Sequence, residues 1–168
     1  MTEVNQEHLR EINRIISAAV IFSKDGKILM GRKDPAKGGV YPDAWHIPGG
    51  GVEPVETLED AVTREIGQEV VGLDLSKYEV THLPIVGEGA SPKTLDTGER
   101  VWCNMQFNHF EVHLDKPAAE LAQELKPGDD LVELRWFGRD ELPNVQQIPG
   151  GEEFFVEAGY MDAANPNN

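Results

Sequence analysis

The sequence predicts a mixed α/β fold built around a mixed β-sheet. Three observations lead to this prediction: apolar, β-rich segments recur along the chain, one amphipathic helix lies between them, and more helix follows near the end. Strands and helices in this order pack as layers around a core. A chain of 168 residues is long enough for one domain over residues 1–168. We place its core at about 14–143 and a C-terminal helix at about 152–160.

The first elements read as a lead-in helix followed by a β-hairpin. Residues 3–13 are polar with sparse apolar positions, which is compatible with a short helix. The apolar run 14–23 predicts a strand, and residues 27–32 predict the strand that returns beside it. The turn residues Asp25-Gly26 between them are a hairpin signal. Residues 33–43, rich in Pro, Gly and charge, predict a loop.

The strongest helix prediction covers residues 57 to about 71. Thr57 can cap the helix, and Glu59 and Asp60 then lie in the first turn, where the helix dipole favours acidic side chains. Apolar residues recur every fourth position and form a stripe that faces the core: Leu58, Val62, Ile66 and Val70.

The second half of the chain predicts further strands and two short helices. In chain order, the expected elements are a strand at 78–86, a polar loop at 87–100, a long strand at 101–114, a helix at 117–125, a turn at 126–130, a strand at 131–137 and a helix at 152–159. Neither repeats nor a low-complexity segment interrupt this order.

The composition of the chain excludes some kinds of binding partner and some kinds of metal site. The formal net charge is −15, from 30 acidic and 15 basic residues, so a long nucleic acid would be repelled. No apolar run reaches the length of a membrane span. The single Cys103 excludes an internal disulfide and a cysteine-cluster zinc site. We therefore expect no membrane partner and a cytoplasmic location.

A glycine turn that leads into the acidic helix is the most informative motif. The turn reads Trp45-His46-Ile47-Pro48-Gly49-Gly50-Gly51, and five residues separate Gly50 from Glu56. Seven more residues separate Glu56 from the pair Arg64-Glu65, and the pair Gln68-Glu69 follows. This spacing resembles the Nudix box, G-x5-E-x7-R-E-U-x-E-E-x-G-U, where U is a bulky aliphatic residue. The residues that match the motif specifically all lie within residues 45–72.

The resemblance implies both a fold and a reaction. The fold is an α/β/α sandwich with a central mixed sheet. The reaction is metal-dependent hydrolysis of a phosphoanhydride in a nucleoside diphosphate that is linked to another group. Mg²⁺ is the expected cofactor and Mn²⁺ can replace it, because carboxylates hold such ions beside phosphates.

The spacing also supports a cation between two glutamates of the helix. Glu69 is four positions after Glu65, so both lie on one side of the helix and repel each other unless a cation binds. By resemblance they are metal ligands and catalytic residues, assisted by Gln68 and the carbonyl of Gly49. One further ligand is expected from the acidic loop before the Trp136 strand. Asp130 is our first choice for it, with Asp129 and Glu133 behind.

Other residues of the motif are expected to support catalysis and substrate binding. By resemblance, Arg64 orients the glutamates and Glu56 fixes the geometry between loop and helix. Gly50 and Gly51 leave room for phosphates to approach the backbone. Arg32 and Lys33, at the end of the second strand, are candidates for phosphate binding, and an ordinary surface role suits them equally well.

Two positions depart from the box and leave alternatives open. Gln68 stands where the family has a glutamate, and Val71 stands at its glycine position, with Gly72 one residue later. A chain that lost one ligand charge can be a nucleotide-binding or sensing module with weak hydrolysis, or a metal-stabilised domain that binds no nucleotide. An acidic helix face taken alone is usually just solvated. The intact spacing favours the hydrolase.

The substrate is less constrained than the reaction. The residues that select it lie in loops outside the box, and no motif of the ADP-ribose or dinucleoside polyphosphate subfamilies is present. By elimination, a nucleoside triphosphate is the default small-molecule substrate, which makes the chain a pyrophosphohydrolase. A homodimer is compatible with the sequence, which leaves the oligomeric state open.

Overall fold

The structure is a computed structural model that describes residues 8–34, 36 and 43–163. Within these residues, eight strands and three α-helices follow one another in this order: β1 (Arg10–Phe22), β2 (Ile28–Lys33), β3 (Gly49–Gly51), α1 (Leu58–Glu69), β4 (Val70–Val71), β5 (Thr81–Thr94), β6 (Arg100–His113), α2 (Ala118–Glu124), β7 (Lys126–Pro127), β8 (Leu131–Phe137) and α3 (Gly151–Glu157).

The main sheet is mixed, as the sequence predicts. Its strand order is β5-β6-β1-β2-β8, and the short β3 pairs with β1. Only the β1–β6 pairing is parallel, while the other pairings within this sheet are antiparallel. Strands β3 and β2 pair with successive parts of β1: β3 lies opposite residues 16–18, and β2 begins opposite Phe22.

Strand β1 begins earlier than the sequence suggests. Residues 10–13, expected at the end of a lead-in helix, instead continue the strand, because Arg10 pairs with Val101 and the parallel ladder continues to Phe22 and His113. Residues 3–7 of that expected helix lie outside the described residues. Most of the expected loop 33–43 also lies outside them.

Strand β5 extends through the segment expected to be a polar loop. Residues 87–94 pair with β6 without interruption, from Gly87 opposite Phe107 to Thr94 opposite Arg100. Glycine and proline disfavour strands in isolation, but here the segment is an edge strand, where proline is tolerated. The loop is thus reduced to a tight turn around Gly98, whose φ is +84°.

The box helix ends two residues before its expected end. Thr57 accepts a hydrogen bond from the amide of Asp60, which confirms the predicted cap. Helix α1 stops at Glu69, and Val70–Val71 pair with Lys126–Pro127 as the two-stranded sheet β4–β7. Gly72 follows with a φ of +103°, a left-handed conformation that ends the segment as expected.

Two apolar clusters lie on opposite faces of the main sheet. On one face, Ile21 of β1 packs with Val62 and Ile66 of α1. On the other face, Val20 packs with Phe154 and Phe155 of α3. Because side chains alternate along a strand, neighbouring residues of β1 enter different clusters. Helices thus cover both faces, and the predicted α/β/α sandwich is confirmed. Among the described residues, no helix has the length and apolar composition to cross a membrane.

Candidate metal centre

Glu69 is a buried carboxylate at the C-terminal end of α1. Its side chain is only 4% exposed and accepts a hydrogen bond from the amide of Gly49 at 3.0 Å. Burial first, and then the charges of the nearby carboxylates Asp130 and Glu65, raise the pKa of Glu69 from 4.5 to about 8, against the lowering effect of the hydrogen bond from Gly49. A buried carboxylate is costly to ionise without a cation, so this site favours a bound positive charge.

Arg64 holds the glycine turn, the loop and the helix together. Its guanidinium donates to both carboxylate oxygens of Glu56, at 2.8 and 2.9 Å. It also donates to Glu65 and to the carbonyl of Gly51, both at 2.9 Å. The hydrogen bonds from Arg64, and then the amide of Glu53, lower the pKa of Glu56 to about 2. Arg64 therefore fixes the orientation of Glu65, and Glu56 fixes Arg64.

A third carboxylate reaches the two glutamates from the turn before β8. One oxygen each of Glu65, Glu69 and Asp129 lie within 4.8 Å of one another. The β4–β7 pairing brings this turn to the end of α1, where the amide of Gly128 donates to the Glu69 carbonyl at 2.9 Å. Asp129 itself has a φ of +53°, a left-handed conformation that aspartate tolerates better than most residues.

The geometry favours Asp129 over Asp130, our first choice from the sequence, as the loop ligand. The carboxylate of Asp130 instead pairs with Lys33 at 3.3 Å. Glu133 pairs with Arg32 at 3.0 Å, and Arg32 also lies over the ring of Trp45. These pairs follow from the antiparallel β2–β8 register, which places Arg32 opposite Glu133. The sequence offered one clue to Asp129, since it follows a glycine in a turn.

The remaining expected ligands differ in their placement. Gln68 is exposed, and its part as a ligand stays a prediction. Gly49 contributes its amide to Glu69, and its carbonyl remains a proposed ligand. An added Cβ at Gly50 would collide with the Glu65 carboxylate, so a side chain there would displace that carboxylate from its present position. At Gly51, an added Cβ would collide with the guanidinium of Arg14.

The residues fit a hard divalent cation. The cluster offers three carboxylates, one of them buried, and no thiol or imidazole within the group. Mg²⁺ and Mn²⁺ prefer such oxygen ligands and are commonly held by few protein groups. Glu65, Glu69 and Asp129 would hold the ion.

Sequence comparison identifies the family. A model of the NUDIX domain matches residues 13–156. Nucleoside triphosphatase NudI of Escherichia coli (strain K12) is 41% identical over 122 residues, which cover 73% of this chain and 80% of that protein. An RNA pyrophosphohydrolase of Coxiella burnetii is 42% identical over 64 residues, 38% of this chain and only 25% of that enzyme's length.

Solved structures share the fold. The dihydroneopterin triphosphate pyrophosphohydrolase of E. coli has a TM-score of 0.63 at 16% identity, over 85% of this chain and 92% of that one. A MutT Nudix hydrolase from Burkholderia pseudomallei has a TM-score of 0.59 at 25% identity, over 84% and 95% of the two chains. With its box, its sandwich and these matches, the chain belongs to the Nudix family of pyrophosphohydrolases.

Proposed function

We propose that this protein hydrolyses a nucleoside triphosphate with the help of Mg²⁺ or Mn²⁺ held at the carboxylate cluster. The observation that carries the proposal is the convergence of Glu65, Glu69 and Asp129 on one point beside the glycine turn. The 41% identity to a nucleoside triphosphatase over 122 residues supports the substrate class. A small nucleotide substrate and a cytoplasmic location belong to the same proposal.

The residues of the site have distinct parts in this reaction. Water forms a new bond to one phosphorus, the bridging P–O bond breaks, and a nucleoside monophosphate and pyrophosphate leave. A divalent cation, when bound, would neutralise negative charge on the phosphates. Arg64 keeps Glu65 oriented through hydrogen bonds to Glu65, Glu56 and Gly51. The side-chain-free turn at Gly50 and Gly51 leaves the backbone open to the substrate.

The alternative of a sensing module with weak hydrolysis rested on Gln68. In the structure, Gln68 is exposed, and three carboxylates converge without it. The Gln68→Glu substitution tests this alternative directly. If Gln68 cripples the site, the variant gains turnover sharply; if Asp129 already supplies the charge, turnover changes little.

The test of the proposed function is release of pyrophosphate or phosphate across substrate classes. The panel contains nucleoside triphosphates, nucleotide sugars, ADP-ribose and dinucleoside polyphosphates, each with Mg²⁺ and then Mn²⁺. We expect turnover of triphosphates that EDTA abolishes. Turnover of another substrate class alone would refute the assignment to nucleoside triphosphates. No turnover of any substrate would refute the proposal that the protein is an enzyme.

A further inference from the structure

Ser17 of β1 is a fully buried polar residue on the face of the main sheet that α1 covers. Its exposed fraction is 0%, and its hydroxyl donates a hydrogen bond to the carbonyl oxygen of Leu58 at 2.7 Å. Burying a hydroxyl is unfavourable unless it is hydrogen-bonded, and this bond offsets that cost. Because Leu58 is the first residue of α1, the bond joins the beginning of the box helix to the central strand of the sheet.

The same serine lies beside the carboxylate of Glu65. Ser17 is opposite Gly50 in the antiparallel pairing of β1 with β3. Side chains of opposite residues leave a sheet on the same face, with their Cβ atoms about 5 Å apart. The space that a Cβ at Gly50 would occupy is where the Glu65 carboxylate lies. The serine side chain and this carboxylate are therefore neighbours on the face of the sheet that α1 covers.

Helix geometry explains how one strand position can lie below both Leu58 and Glu65. The two residues are seven positions apart, which is close to two full turns, so they lie on the same side of α1. The backbone carbonyls of a helix point toward its C-terminal end, whereas its side chains lean toward the N-terminal end. The carbonyl of Leu58 and the side chain of Glu65 thus converge on the same part of the sheet.

Other contacts hold α1 at different points. At the end of the helix, the carboxylate of Glu69 accepts a hydrogen bond from the amide of Gly49 at 3.0 Å. Within the helix, Arg64 donates to Glu65 at 2.9 Å. The hydrogen bond from Ser17 adds a restraint at the beginning of the helix. Loss of this bond frees the first turn to move over the sheet while the last turn stays fixed, and Glu65, which lies between them, moves with the helix.

We propose that Ser17 is a positioning residue for the metal centre, because its hydroxyl fixes the start of α1 over the sheet and thereby the position of the Glu65 carboxylate. This carboxylate then stays within reach of Glu69 and Asp129. The proposal rests on the proposed function, which places the cation at the carboxylate cluster. A hydrogen bond that contributes to stability alone is the competing explanation. The two roles differ in one respect: a positioning effect on the cation depends on the presence of Glu65.

The test is a double-mutant cycle between Ser17→Ala and Glu65→Gln, with the Mn²⁺ affinity measured by electron paramagnetic resonance. Ser17→Cys is a second variant, because a thiol is close to a hydroxyl in size but is only a weak donor. The matched control is Ser23→Ala. Ser23 is also buried, and its hydroxyl donates to Asp25 at 2.6 Å in the turn between β1 and β2. Thermal unfolding verifies that every variant folds and measures its loss of stability.

We expect Ser17→Ala and Ser23→Ala to lower the midpoint of thermal unfolding by a similar few degrees, since each removes a buried hydrogen bond. Of these two, Ser17→Ala alone should also weaken Mn²⁺ binding, by roughly fivefold, with a smaller loss in Ser17→Cys. In the Glu65→Gln background, Ser17→Ala should change the affinity by less than about twofold. Unchanged affinity in Ser17→Ala, or an equal loss in both backgrounds, would overturn the positioning role. The expected coupling in a protein that hydrolyses no nucleotide would refute the proposed function and leave the positioning role standing.

Discussion

The amide of Gly128 donates a hydrogen bond to the carbonyl oxygen of Glu69 at 2.9 Å. This bond joins the last residue of α1 to the turn that carries Asp129. It extends the β4–β7 pairing, in which Val70 lies opposite Pro127. Two very short strands thus bring a carboxylate from late in the sequence to Glu65 and Glu69.

Gly128→Ala should weaken metal binding. An added Cβ would collide with the carbonyl of Gln68 and lie 2.7 Å from a methyl group of Val71, so the turn has to move away from α1. We expect Mn²⁺ affinity to fall by roughly tenfold, as for the loss of one charged ligand. The control is Gly67→Ala, where an added Cβ meets nothing within 4 Å. This control should stabilise the exposed helix position by up to about 1 kcal/mol. Unchanged Mn²⁺ affinity in Gly128→Ala would show that the turn does not position a ligand.

Asp129→Asn and Asp130→Asn should differ in their effect on the metal. Asp129 belongs to the cluster, whereas Asp130 pairs with Lys33. Titration with Mn²⁺, followed by electron paramagnetic resonance, should give a loss of roughly tenfold for Asp129→Asn and a clearly smaller loss for Asp130→Asn. The reverse order would restore the assignment expected from the sequence.

That difference illustrates what the sequence can and cannot predict. The local sequence predicted α1 and its cap at Thr57, because a helix and its cap depend on residues close together in the chain. The choice between Asp129 and Asp130 depends on the φ of +53° at Asp129 and on the pairing of β4 with β7. Strands of two residues have no periodicity that a sequence pattern could reveal.

The length of β5 illustrates the same limit. Its second half contains glycine, serine and proline, which favour turns when read locally. The structure keeps residues 87–94 extended because each of them pairs with β6. Non-local pairing therefore decided the conformation against local propensity.

The metal-free protein should lose stability as the pH rises from about 4.5 to 8, through the titration of Glu69. Its folded pKa of about 8 exceeds the ordinary value of 4.5, so the folded state holds a proton that the unfolded state releases over this range. The contribution is fully present below pH 4.5 and is lost as the pH passes 8. Thermal unfolding in EDTA, with wild type compared with Glu69→Gln, measures it. A difference between the two proteins that stays constant from pH 5 to 8 would contradict the raised pKa.

Val55→Gly should stabilise the protein. Val55 is fully exposed and has a φ of +62°, a left-handed conformation that is strained for a β-branched residue. Relief of this strain outweighs the added freedom of glycine in the unfolded chain, for a net gain of about 0.5 kcal/mol. Urea unfolding measures the gain. Val132→Gly, on the exposed face of β8, is the matched control and should destabilise. A loss of stability in both variants would mean that Val55 is not strained.

The claim that hydrolysis depends on the carboxylate cluster is tested most directly by the rate of pyrophosphate release from nucleoside triphosphates with Mg²⁺. The rate is compared among four proteins: wild type, Glu69→Gln, Asp129→Asn and Glu153→Gln. Glu153, exposed in the first turn of α3, is the control for loss of one acidic charge. We predict hydrolysis by wild type and Glu153→Gln, and a loss of roughly a hundredfold or more in Glu69→Gln, with a smaller but clear loss in Asp129→Asn. Equal rates in all four proteins would contradict a reaction that depends on the cluster of Glu65, Glu69 and Asp129.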